Sequence, residues 1–92
     1  MNRYRVKFTN RFKRERKLMV KRGADMQLLN DVIDLLSQGK PLPAKNRDHA
    51  LTGNYIGARE CHIKPDWLLI YQVEENILIL TLMRMGTHSD LF

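Results

Sequence analysis

Residues 48–71, DHALTGNYIGARECHIKPDWLLIY, contain two of the three histidines, the only Trp and the densest β-strand pattern of the chain. Aromatic, β-branched and aliphatic residues predict strands over 55–63 and 67–73, and the three residues between them are enough for a hairpin turn. A third strand is predicted over 77–84, after Glu74-Glu75-Asn76. Three sequential strands of this kind indicate an antiparallel meander.

The residues before this segment predict one short strand and two helices. Polar and apolar residues alternate over 4–8, which is the period of a half-buried strand. Thr9 can cap a first helix that ends near Gly23. A second helix is predicted between Asp25 and Gly39 because its apolar residues recur at i, i+3, i+4 and i+7: Leu29, Val32, Ile33 and Leu36. The predicted fold is α+β, with two N-terminal helices packed on a small antiparallel sheet in the order β-α-α-β-β-β, as one domain over 1–92.

The positive charge is concentrated at one end of the chain. Residues 1–23 contain ten Lys or Arg and one Glu, a net charge of +9, whereas the remaining residues sum to −3 and the whole chain to +6. Such a field is typical of a surface that binds a polyanion, although a merely solvated helix is the plainer interpretation. The candidate RNA-binding residues in the first helix are Arg11, Lys13, Arg14, Arg16, Lys17, Lys21 and Arg22.

Length and composition exclude several classes of protein. A chain of 92 residues forms a single modest core, without room for a second domain. The one cysteine, Cys61, cannot form an internal disulfide, and neither a signal-peptide pattern nor a long apolar run is present. These features predict a cytoplasmic protein that does not associate with a membrane.

Five polar residues of the second half lie at strand ends or in connecting loops: His49, His62, Asp66, Arg84 and His88. His62 and Asp66 flank one turn, so we expect them to approach each other. Together the five could supply a base, a cation and an acid for cleavage of RNA by its own 2′-hydroxyl. This chemistry requires neither a metal nor a cofactor. Phe92, at the C-terminus, could stack on a base.

Each of these residues also has a plainer interpretation. A histidine in a strand is often only a surface residue, Asp66 follows a proline as turn residues do, and Arg84 can pair with an acidic neighbour. A zinc site could be built from three histidines and Asp66, but the spacing of known zinc motifs is missing. Cys61 and His62 are adjacent in a strand and therefore point to opposite faces, which argues against a Cys/His nucleophile pair.

The pattern as a whole resembles the YafQ branch of the RelE/ParE toxin superfamily. The resemblance rests on Asp48-His49, Leu51, Gly53, Gly57, Arg59, His62, Pro65-Asp66-Trp67, Leu69-Ile70-Tyr71, Arg84, Gly86-Thr87-His88 and Leu91-Phe92. It covers the chain clearly from about Asp25 to the end. Met85, between Arg84 and Gly86, is bulkier than the family pattern leads us to expect, which bears on the shape of the cleft.

The resemblance implies a type II toxin that enters the A site of the 70S ribosome and cuts the bound mRNA, with ribosomal RNA contacting the basic helix. A cognate antitoxin, DinJ-like or RelB-like, would hold it inactive. The matching residues are His49, His62, Asp66, Arg84, His88 and Phe92. We expect His88 to act as the acid and His62 with Asp66 as the base, although the two roles could be exchanged. Arg84 would bind the scissile phosphate, His49 would have a positioning role, and Phe92 would stack on a nucleotide.

Two other classes of function stay open at this point. A non-catalytic nucleic-acid-binding regulator would need the basic helix alone. A ParE-like toxin would share the fold and act on gyrase, although the histidine set argues for RNA cleavage instead.

Overall fold

The computed structural model, which describes residues 2–92, contains a five-stranded sheet and three α-helices. The strands are β1 (Arg5–Phe8), β2 (His49–Ala50), β3 (Arg59–Lys64), β4 (Trp67–Glu74) and β5 (Ile79–Gly86). The helices are α1 (Asn10–Lys21), α2 (Met26–Ser37) and α3 (His88–Leu91), and short 3-10 turns occur at Ala44–Asn46 and Gly53–Tyr55. The predicted α+β class and both N-terminal helices are confirmed.

The sheet is mixed, whereas the sequence predicted an antiparallel one. Its strand order is β1-β5-β4-β3-β2, and β1 lies parallel to β5, with Arg5 opposite Ile79 and Phe8 opposite Leu82. The other pairs are antiparallel. Both helices separate β1 from the meander, and a connection of that length can bring a strand back in parallel. Neither the hydrophobic period nor the strand propensity of a segment reveals whether it pairs in a parallel or an antiparallel direction.

Two predicted strands begin later than expected. The strand predicted from residue 55 begins at Arg59, because Gly53–Tyr55 forms a 3-10 turn and Gly57 has a φ of 91°. The strand predicted from residue 77 begins at Ile79, because Leu78 occupies the left-handed region with a φ of 53°. The two-residue strand β2 was not predicted, and it pairs His49 with Glu60 of β3.

One face of the sheet packs against α1 and α2 and forms the main core. Thr9 accepts a hydrogen bond from the Phe12 backbone N–H at 3.0 Å, and the Asp25 carboxylate caps α2 in the same way, as predicted. The buried side chains of this core come from α1, α2 and the facing strand positions: Phe12, Met19, Leu29, Val32, Leu36, Cys61, Leu69, Tyr71, Leu80, Leu82 and Met85. Met85 is 1% exposed within this core, so it does not line a cleft.

The opposite face carries a smaller apolar cluster that docks the C-terminus. Leu68 and Ile70 of β4 pack with Ala58 and with Leu91 of α3. A capping box between Thr87 and Asp90 starts α3. The C-terminal tail therefore folds back across the sheet.

Side chains of α1 cover the part of β5 that extends beyond β1. The Thr9 hydroxyl donates to the Met83 carbonyl at 2.6 Å, and the Met85 backbone N–H donates to Glu15 Oε1 at 3.2 Å. These bonds satisfy backbone groups that would otherwise be an exposed sheet edge. They also hold α1 against the free edge of β5. Among residues 2–92, no helix has the length and apolar character needed to cross a membrane.

Candidate active site

The three histidines form a row on the second face of the sheet. The ring centroids of His49 and His62 are 6.4 Å apart, and those of His62 and His88 are 5.8 Å apart. His49 lies on β2, His62 on β3 and His88 begins α3. The side chains of His49 and His88 are about half exposed, whereas that of His62 is only 12% exposed. The structure thus brings together three positions that are distant in the sequence.

A buried carboxylate, Glu60, lies between two of these histidines. Its Oε1 is 3.5 Å from His49 Nε2 and 3.7 Å from His62 Nε2. The residue is 5% exposed, and its other oxygen, Oε2, has no hydrogen-bond partner among residues 2–92. A buried carboxylate without full pairing is costly, so it is more typical of a functional site than of a packing site. Sequence analysis missed Glu60, although its i, i+2 spacing from His62 placed both on one face.

Backbone carbonyls orient His49 and His62. His49 Nδ1 lies 2.7 Å from the Arg47 carbonyl oxygen, and His62 Nδ1 lies 3.2 Å from that of Pro65. A carbonyl can only accept, so each Nδ1 must carry the hydrogen. In the neutral ring the basic nitrogen is then Nε2, which in both residues faces Glu60.

Asp66 contacts His88 and not His62, which corrects the expectation drawn from the turn. Its Oδ1 accepts from the His88 backbone N–H at 2.9 Å and lies 2.6 Å from His88 Nδ1. The backbone hydrogen bond and then the side-chain bond from His88 lower the pKa of the Asp66 carboxyl. Asp66 therefore stays ionised, and it fixes the orientation of the His88 ring through Nδ1.

Arg84 lies on the same face but is already paired. Its Nη2 is 2.7 Å from Glu15 Oε2, its Nη1 donates to the Tyr55 hydroxyl at 2.9 Å, and its side chain is 11% exposed. Hydrogen bonding to Glu15 raises the pKa of Arg84, so the guanidinium stays charged. The pairing that the sequence allowed as the plainer interpretation is present. Arg84 is therefore a fixed and largely compensated charge in the free protein.

Phe92 remains exposed although the tail is docked. Its backbone N–H donates to the His88 carbonyl at 2.9 Å, and its ring packs edge-on against Tyr55 with the centroids 6.0 Å apart. The residue is 66% exposed. An aromatic ring that is held in place and open to solvent can stack on a nucleobase.

The loop that carries His49 is held from the other side by Asp48. The Asp48 carboxylate accepts from the Tyr71 hydroxyl and forms an ion pair with Arg59 at 3.2 Å. Burial, and then hydrogen bonding to Asp48, raise the pKa of Tyr71, which keeps this phenol protonated. Asp48 thus fixes the backbone next to His49.

Cys61 takes no part in the site. It is fully buried in the main core, and burial raises the pKa of its thiol to about 12. Cys61 and His62 lie on opposite faces of the sheet, as their adjacent positions in a strand predicted. Within residues 2–92 no group of three or more His, Cys, Asp or Glu side chains is arranged to hold a metal ion.

The predicted RNA-binding residues of α1 are all exposed: Arg11, Lys13, Arg14, Arg16, Lys17, Lys21 and Arg22. Only Arg22 has an acidic partner among residues 2–92, at 2.7 Å from Asp90 of α3. The hydrogen bond from Arg22 holds the pKa of the Asp90 carboxyl well below its usual range. Arg22 therefore supports α3, and the other six charges remain free to bind an external anion.

Comparison with known proteins places the chain in a family. Residues 4–92 match the family model described as the bacterial toxin of type II toxin-antitoxin system, YafQ. The chain belongs to the YafQ family. The resemblance read from the sequence is thereby confirmed, and the molecule is a toxin of a type II toxin-antitoxin system.

Individual YafQ proteins are similar over nearly the whole chain. The mRNA interferase toxin YafQ of Escherichia coli K12 is 38% identical over 88 residues, which cover 95% of this chain and 94% of that protein. The crystal structure of YafQ from E. coli BL21(DE3) superposes with a TM-score of 0.91 at 36% identity, covering 97% of this chain and 98% of the other. YafQ in the E. coli DinJ-YafQ complex gives 0.90 at 36% identity, with 98% of each chain covered.

Proposed function

We propose that this toxin is a ribosome-dependent mRNA interferase that cuts mRNA in the ribosomal A site by attack of the 2′-hydroxyl. The endoribonuclease class follows from its family and from its 38% identity to the E. coli mRNA interferase toxin YafQ. The observation that carries the mechanism is the histidine row. It holds one imidazole against Glu60 and another against Asp66, with 5.8 Å between the two ring centroids.

His62 is assigned the role of general base. Its Nδ1 hydrogen is held by the Pro65 carbonyl, so Nε2 receives the proton of the 2′-hydroxyl. Glu60, 3.7 Å from that nitrogen, stabilises the imidazolium as it forms. The 2′-oxygen then bonds to phosphorus and gives a cyclic phosphate. His49 faces the same carboxylate and orients it.

His88 is assigned the role of general acid. Asp66 accepts its Nδ1 hydrogen, so Nε2 of the imidazolium is the nitrogen that gives its hydrogen to the 5′-oxygen as the P–O bond breaks. This assignment transfers Asp66 from the base to the acid. Arg84 is again proposed to lie near the scissile phosphate, where its fixed charge contributes to the electric field. Its hydrogen bond to the Tyr55 hydroxyl holds that side chain in place. Phe92 stacks on a nucleotide.

The remaining partners follow the charge distribution. The six unpaired cations of α1 contact ribosomal RNA, whose phosphates are the densest anions that a cytoplasmic toxin meets. A DinJ-like antitoxin binds and inhibits the toxin, as the E. coli DinJ-YafQ complex suggests. RelB-like antitoxins are the alternative. The toxin would act in the cytoplasm, where both ribosomes and antitoxin are found.

The experiment compares His62→Ala and His88→Ala with wild type in single-turnover cleavage of A-site mRNA on 70S ribosomes. Each variant is expected to cleave roughly 10² to 10⁴ times more slowly, the range for loss of a general acid or base. The melting temperature should change little for His88, which is half exposed. Unchanged cleavage by folded variants would overturn the assignment of His62 and His88, whereas no cleavage by folded wild type would favour a binding protein. A gyrase effect in a supercoiling assay would favour a ParE-like action.

A further inference from the structure

A basic groove of about 320 Å³ opens beside His62. One wall is the loop that contains the Ala44–Asn46 turn, and the other is the end of β3 with the turn that follows it. His62 itself lines the groove. A chain that lies in the groove would therefore be continuous with one whose phosphate sits at the catalytic imidazoles.

Three cations line this groove: Lys45, Arg47 and Lys64. All three are exposed, and within residues 2–92 none has a carboxylate within 4.0 Å. Four arginines elsewhere in the molecule are paired with acids: Arg3 with Glu75, Arg22 with Asp90, Arg59 with Asp48 and Arg84 with Glu15. The chain is acidic overall after residue 23, so three uncompensated charges at one groove are not a consequence of composition.

The groove is tied rigidly to the catalytic residues. Asn46 is 5% exposed, and its Nδ2 donates to the His62 carbonyl at 2.8 Å. The next residue, Arg47, has a left-handed φ of 47°, and its carbonyl accepts from His49 Nδ1. The loop therefore holds the three cations and the imidazoles of His49 and His62 in a fixed arrangement relative to one another. Such preorganisation is expected where a substrate must be aligned with a base.

We infer that this groove binds the sugar-phosphate backbone of the mRNA next to the scissile phosphate, with Lys45, Arg47 and Lys64 on successive phosphates. The inference rests on the proposed function, since it names a second contact of the same substrate. It gives the message its own electrostatic site, separate from the ribosomal RNA contact of α1. A single strand is favoured over an acidic protein segment because the groove opens onto the imidazoles that act on the phosphodiester.

The test variant is K45Q/R47Q/K64Q, and the matched control is R5Q/K7Q/K40Q, which removes the same charge. Arg5 and Lys7 lie on β1, at the opposite edge of the sheet from β2, and Lys40 lies outside the groove. The binding probe is a short single-stranded oligodeoxynucleotide, which has no 2′-hydroxyl and is followed by fluorescence anisotropy against salt. Melting temperatures verify that both variants fold.

The groove variant should bind the oligonucleotide roughly 10- to 50-fold more weakly at 0.15 M salt, with a slope of log K against log salt about 2 units shallower. On programmed ribosomes its KM for the message should rise by a similar factor, while kcat stays within about twofold and affinity for mRNA-free ribosomes is unchanged. The control should match wild type in all these measurements.

Equal affinity and equal salt slope in the groove variant and the control would overturn the inference. Loss of affinity for an acidic antitoxin segment, with oligonucleotide binding intact, would overturn it in favour of a protein site. If wild type cuts the message and the groove variant behaves as the control does, only the groove fails. If wild type cuts nothing although the groove pattern is seen, the proposed function fails and the binding site stands.

Discussion

Replacing Glu60 by Gln removes one charge from the centre of the histidine row and keeps the shape of the side chain. The Glu60 carboxylate and a His62 imidazolium 3.7 Å apart attract each other by about 1 kcal/mol in a water-like medium and by about 4.5 kcal/mol at an effective dielectric constant of about 20. His62 is nearly buried but His49 is half exposed. An intermediate loss of about 2 kcal/mol is therefore expected, equal to roughly 30-fold slower cleavage.

The same change should not weaken the fold. Within residues 2–92, Glu60 Oε2 is buried without a hydrogen-bond partner, so its negative charge opposes folding. Gln should keep or raise the free energy of unfolding by about 0.5 to 1 kcal/mol, which corresponds to a melting temperature higher by roughly 2 to 6 °C. Loss of activity together with unchanged or increased stability is typical of a residue kept for function.

The assay is single-turnover cleavage on programmed ribosomes, run beside thermal unfolding. Glu74→Gln is the control, because it removes the same charge from the end of β4. Wild-type cleavage by Glu60→Gln would show that the carboxylate does not support the base. Parallel loss of activity and stability would show instead that Glu60 acts through folding, and either result would refute the reasoning.

Three further predictions concern the contacts around the site. Glu15→Gln leaves Arg84 without its counter-charge and should lower the free energy of unfolding by about 2 to 3 kcal/mol; denaturation at an unchanged midpoint would contradict this. The pKa of Asp90 is lowered from 3.8, so its contribution to stability is present above about pH 4 and is lost as the pH falls through the lowered value. The melting temperature of Asp90→Asn should therefore fall less steeply with decreasing pH than that of wild type. An identical pH dependence would show that the Arg22–Asp90 ion pair is not its cause. Arg14, Arg16 and Lys17 of α1 can be neutralised together. The slope of log K against log salt for ribosome binding should then fall by roughly 2 to 3 units, and an unchanged slope would show that α1 does not contact the ribosome.

The elements that sequence predicted well are those with a strong local signal. The apolar stripe of α2 and the caps at Thr9 and Asp25 lie within single segments, and local hydrogen bonds decide them. The direction of β1 was wrong because pairing across 74 residues leaves no local trace. β2 was missed because two residues are too few for a period.

Sequence analysis predicted which residues form the candidate site better than it predicted which of them contact each other. The histidines were expected near one end of the sheet, and the structure brings them into one row. The partner of Asp66 was wrong because α3 places His88 over the turn, which depends on tertiary docking. Glu60 was missed because only the cross-strand register with His49 buries it between two imidazoles.

The central claim is cleavage by the 2′-hydroxyl of ribosome-bound mRNA under the control of the histidine row. It is tested most directly by two messages programmed in the A site, one entirely ribose and one with a single 2′-deoxy nucleotide at the cut position. We predict that the ribose message is cut to a 2′,3′-cyclic phosphate and that the deoxy message survives. Cleavage of both messages, or of neither by folded toxin, would contradict the account.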